Sequence, residues 1–222
     1  MTVQPLSPKR VALTAVTTAL VLSLSGPVYA ASAEVAEAAP PSGQITLDVV
    51  TVNGSGCPAG SAYVSMLPDN TGFRITYRDF VVQAGGDAKP TDFRKNCQVN
   101  VLVHIPQGFT FAIARADYVG RARLESGATG LQRTNYYFQG SSDNNYADHN
   151  FSGPLWSRWH TIDAAPITEL VYAPCGEHRN INVNTELRVD EGTANAGKVS
   201  SLSLRSSEGS VETIIQFSWK TC

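Results

Sequence analysis

Cys97-Gln-Val-Asn-Val-Leu-Val-His-Ile105 carries an apolar side chain at every odd position, with Gln98, Asn100 and His104 between them. A period of two is that of a strand with one face in a core and one in water. Pro106-Gln-Gly108 then turns the chain. The same alternation spreads outward from this stretch. Ile45, Leu47 and Val49 open it; Ala62, Val64 and Met66, a turn at Pro68 to Gly72, and Phe73, Ile75 and Tyr77 read as a hairpin. Thr110 to Leu124 follows, with Ala112, Ala114, Ala116 and Ala122 expected on one face. Leu131 to Gln139 is polar and aromatic, and Gly140 to His149 reads as a loop. Strands are expected again at Ile167 to Tyr172, Ile181 to Val189, Val199 to Leu204 and Val211 to Trp219. No 3.6-residue period persists over three turns. The fold expected is all-β, a two-sheet antiparallel β-sandwich of roughly ten strands.

Upstream of this pattern, Lys9 and Arg10 lead into the apolar run Val11 to Leu24, broken by Gly26-Pro27 before the small-residue site Val28-Tyr29-Ala30. Residues 1–30 therefore read as a signal peptide cut before Ala31, 31–43 as a flexible Ala/Pro-rich linker, and 44–222 as one secreted domain. The expected localisation is extracellular, without membrane insertion. Removing residues 1–30 leaves 15 basic and 19 acidic residues, a net charge of −4. With no basic block, that balance argues against a nucleic acid partner. A monomer is expected.

The chain holds four cysteines, Cys57, Cys97, Cys175 and Cys222. Export makes two disulfides the first reading. Four cysteines allow three pairings, and spacing leaves all three open. Pairing by halves, Cys57 with Cys97 and Cys175 with Cys222, is the expectation, because it staples the entry strands and fastens the last one. A Cys/His metal site lacks any C-x-x-C spacing.

Gly54-Ser-Gly-Cys57-Pro, Lys95-Asn-Cys97-Gln-Val-Asn-Val101, Phe151-Ser-Gly-Pro154, Ala173-Pro-Cys-Gly176, Asn180-Ile-Asn-Val-Asn-Thr185 and Phe217-Ser-Trp-Lys-Thr-Cys222 occur in this order along the chain. In these pieces the chain resembles a family of small secreted four-cysteine domains of unknown function from streptomycetes, related actinobacteria and filamentous fungi. The resemblance implies secretion and an all-β domain, and assigns no catalytic residue. After the Gly-Pro step the family pattern carries acidic residues and a tyrosine, where this chain has Trp156-Ser-Arg-Trp159-His160.

Motifs for chemistry are absent: there is no H-E-x-x-H, G-x-S-x-G, phosphate loop or dinucleotide fingerprint. His104, His149, His160 and His178 are scattered. Asp143, Asn144, Asn145, Asp148, His149 and Asn150 offer oxygens of the kind calcium takes, but such residues also make plain loops. No cofactor or metal is expected. The segment Tyr146 to His160 combines aromatics with charge, and its binding candidates are Tyr146, Asp148, Trp156, Arg158, Trp159 and His160. Against that reading, both tryptophans read first as core between the sheets, where tryptophan usually lies. The functional expectation is a secreted noncatalytic protein, binding an extracellular glycan or protein or belonging to the cell envelope. The alternatives are a small extracellular hydrolase on polysaccharide, using carboxylates such as Asp143 and Asp148, and an extracellular protease inhibitor.

Overall fold

In the computed structural model, which describes residues 37–43, 45–141, 145–166, 169–204 and 212–222, the alternation resolves into twelve strands. These are β1 Thr46–Asn53, β2 Ala62–Met66, β3 Gly72–Tyr77, β4 Val81–Ala84, β5 Arg94–His104 and β6 Phe109–Leu124. They continue with β7 Thr129–Phe138, β8 Asn145–Ser152, β9 Leu155–Ala164, β10 Asn180–Asp190, β11 Ser200–Ser203 and β12 Thr213–Thr221. One sheet has five strands in the order β1-β5-β10-β7-β8. The other has seven, β2-β3-β12-β6-β11-β4, with β9 added to β6. Every pairing is antiparallel. The fold is thus the two-sheet antiparallel sandwich expected, and β2 with β3 forms the expected hairpin.

The core lies between the sheets. Val99, Val101 and Val103 of β5 meet there with Ile181, Val183 and Leu187 of β10, all buried. From the seven-stranded sheet, Phe111 packs on Phe217 and Trp219, and across the core on Phe138 of β7. Such tilted and edge-on aromatic pairs add to what area burial alone supplies.

Four expectations need correction. The alanines of β6 do not share a face: the register with β12 steps from Arg115 to Ile113, skipping Ala114. That bulge reverses the alternation. Ala112 therefore points away from the core and is covered by Tyr172, with which it forms an isolated bridge. That bridge replaces the strand expected over 167–172, whose first two residues lie outside those described.

The region 140–149 is not all loop, because β8 begins at Asn145; Asp143 and Asn144 lie outside the described residues. β8 alternates Ala147, His149 and Phe151 inward with Tyr146, Asp148 and Asn150 outward. Its inward set is small, polar and aromatic, so it lacks the aliphatic period that marks the other strands. Residues 1–36, which hold the expected signal peptide and the start of the expected linker, also lie outside the described residues. The linker's far end is not a tether: Ala38 N donates to Trp219 O at 2.9 Å, and Asn70 Nδ2 donates to the carbonyls of Pro41 and Gly43 at 3.0 Å.

Both expected disulfides are present. Cys57–Cys97, with Cα atoms 5.3 Å apart, ties the crossover from β1 to β2 onto β5. Cys175–Cys222, at 5.8 Å, ties the segment after Tyr172 to the end of β12. Each stabilises the fold by about 4 kcal/mol in the chain-entropy account.

Candidate functional site

β8 and β9 follow each other in sequence but belong to different sheets, with Gly153-Pro154 carrying the chain across. This crossing divides the candidate residues. Tyr146 and Asp148 stand on the outer face of the five-stranded sheet, opposite Asn135 and Arg133 of β7. Trp156, Arg158 and His160 stand on the outer face of the seven-stranded sheet, opposite Arg123, Arg121 and Val119 of β6. The two sets face opposite sides of the sandwich. Trp159 belongs to neither. It is 6% exposed, packs on Phe151 at 5.2 Å and lies over Gly120, where a Cβ would fall inside its ring. A strand's period of two turns Trp159 inward once Trp156, Arg158 and His160 point out.

On the seven-stranded side the outer face holds a groove of about 430 Å3. Trp156, 66% exposed, forms one wall, with the Arg123 guanidinium 5.5 Å from its ring centre. The floor and far wall come from Ser201 and Ser203 of β11 and from Val81 and Gln83 of β4, with Arg121 between. Further along the face, Arg115 grips Asp117 through two hydrogen bonds of 2.6 and 2.7 Å, and His160 Nε2 adds a third at 3.0 Å. The Arg115 bonds hold Asp117 below the usual carboxylate range, with burial opposing them and His160 assisting.

On the other side, Arg133 makes a two-pronged pair with Asp148 at 2.7 and 2.6 Å. These hydrogen bonds hold the Asp148 carboxyl below its ordinary value. It is therefore ionised at neutral pH and committed to its neighbour. Tyr146, 68% exposed, lies at the rim between this face and a cavity of about 310 Å3 at the sandwich edge.

That cavity ends on a polar cluster not singled out in the sequence. Asp163 of β9 has its side chain 8% exposed. The Thr134 and Tyr136 hydroxyls donate to its Oδ2, each at 2.5 Å, and His149 Nε2 meets Oδ1 at 2.5 Å. Tyr118 OH lies 2.6 Å from Tyr136 OH. Burial, with the neighbouring phenol and the Asp163 charge, pushes both tyrosines well above the ordinary phenol range, so they stay protonated. Beside them, Thr161 Oγ1 donates to Gln132 Oε1 at 2.5 Å. The cluster joins β6, β7, β8 and β9, and the shared acceptor Asp163 fastens the sheets to one another, while Gln132 Nε2 is left without a partner. The available signal was polar residues at inward positions: Gln132 and Thr134 on β7, and Thr161 and Asp163 on β9.

Among the described residues, no three His, Cys, Asp or Glu side chains gather as a metal ligand set. Among them too, no helix is long and apolar enough to cross a membrane.

Residues 43–222 match the family model described as a domain of unknown function, DUF4360. An uncharacterized secreted protein of Arthroderma benhamiae is 31% identical over 184 residues, which cover 83% of this chain and 74% of that protein. Among solved structures, the enzymatically active domain of tailspike protein 4 of bacteriophage CBA120 matches at 10% identity, with a TM-score of 0.24. This chain covers 19% of that one, and likeness so slight carries no argument. The chain therefore belongs to the DUF4360 family, as a secreted, disulfide-bonded all-β member with a relative in a fungus.

Proposed function

We propose that this protein is a noncatalytic extracellular binding domain whose partner is a glycan, held on the outer face of the seven-stranded sheet. The observation that carries the reading is Trp156. A 66% exposed indole, with a guanidinium beside it, stands over a groove lined by serine and glutamine side chains. A large apolar ring left in water serves recognition better than stability, and its flat face suits the C–H face of a sugar ring. Hydroxyls and an amide beneath it supply hydrogen bonds. The hydrolase alternative gains no such support: Asp148 is clamped by Arg133, and Asp143 lies outside the described residues.

The test is retention of the purified domain on isolated cell walls and insoluble polysaccharides. Trp156→Ala is expected to abolish retention without moving the melting temperature. Undiminished retention by this variant would remove the proposed surface.

A further inference from the structure

We infer that the groove beside Trp156 takes an acidic polysaccharide, one whose sugar rings carry carboxylates; this rests on the binding reading above and adds the charge of the partner. The register sets two neighbouring rows across four strands. Gln83, Ser201, Arg123 and Trp156 form one, and Val81, Ser203, Arg121 and Arg158 form the next. Strands lie about 4.8 Å apart, and alternate residues along a strand about 6.7 Å apart. Three guanidiniums are thus gathered on two adjoining rows of one face.

The mature chain carries a net charge of −4, so this clustering runs against its overall balance. No acidic residue appears among the described residues that line the groove. The acids flanking these arginines in sequence are each engaged: Asp117 by Arg115 and His160, and Glu125, just past β6, by Lys198 at 3.4 Å. Arg121 and Arg158 also make interactions of their own within the chain.

An anionic partner complements such a surface. The planar fork of arginine matches a carboxylate through paired hydrogen bonds, where lysine would offer a point charge. Trp156 adds a requirement that charge alone does not, a ring to stack on it. A polymer presenting both ring and carboxylate at each repeat meets both demands.

Titration with polygalacturonate, and with the same polymer fully methyl-esterified, separates charge from ring. Tenfold or tighter preference for the free acid is expected, with affinity falling as salt is raised. Arg121→Gln/Arg158→Gln, which leaves the Arg123–Trp156 contact intact, is expected to lose that preference while melting as the parent does. Arg123→Lys, which keeps the charge but loses the fork, is expected to bind severalfold more weakly. Equal affinity for acid and ester, or failure on both while cell walls still retain the protein through Trp156, would overturn the inference and leave the binding reading standing. Equally tight binding of polyphosphate, which has no ring, would overturn it too. If no glycan or wall is bound at all, both readings fall.

Discussion

Replacing Trp159 with alanine removes an indole that packs on Phe151 and covers Gly120. The expected cost is about 3–5 kcal/mol, read as a lowered urea midpoint. Trp156→Ala on the same strand is expected to change stability by less than ~0.5 kcal/mol, because its ring is already in water. Equal losses for the two would contradict the facing assigned here. Asp163→Ala makes a sharper demand. It would leave the Thr134 and Tyr136 hydroxyls and the His149 ring without their shared acceptor in a buried place. A loss of ~3 kcal/mol is expected, whereas a neutral outcome would mean that water takes the vacated position.

Between elements, the contact of β6 with β9 depends on a glycine. Gly120 sits directly opposite Trp159 in the register, and its bare Cα lets the indole lie flat on the strand. Gly120→Ala is expected to displace that ring and cost ~2 kcal/mol in chemical denaturation, an overpacking effect. Sequence made the aliphatic strands readable, because Val99 to Val103 places valine, and Ile181 to Val189 aliphatic residues at all but Thr185, inward at every second position. It hid β4, which has four residues, β8, whose inward residues Ala147, His149 and Phe151 share no single character, and β9, whose inward Trp159, Thr161 and Asp163 mix aromatic with polar. The candidate site suffered from the same gap. Reading Tyr146 to His160 as one binding segment placed six side chains together, whereas two strands in two sheets send them to opposite faces and into the core. The tryptophans and Arg158 were visible by type, but Arg121 and Arg123 become their neighbours through pairing across strands. Spacing along a chain does not report such pairing.

Across the whole molecule, the buried tyrosines set an alkaline limit. Burial opposes the Tyr77 phenolate and moves its pKa to about 12, with the neighbouring Thr185 and Thr213 hydroxyls opposing. Tyr118 and Tyr136 are likewise held well above the ordinary phenol range by burial and neighbouring charge. In the unfolded chain these phenols ionise near pH ~10. Stability is thus fully present below that value and is lost as pH rises through the folded-state pKa values. Phenolate absorbance is expected to show the three titrating together with unfolding; smooth independent titration would contradict their burial. The chain ends have a mechanical consequence. Ala38 is bridged to Trp219, while Cys222 is covalently joined to Cys175. Tension applied at the N-terminus meets that bridge and the Asn70 hydrogen bonds, which yield early. Tension applied at the C-terminus passes through sulfur into the segment before β10, so β12 is not peeled from its end while the bond is oxidised. Drawn from both ends, the domain should release a short N-terminal length and then resist, and chemical reduction should turn that resistance into unzipping.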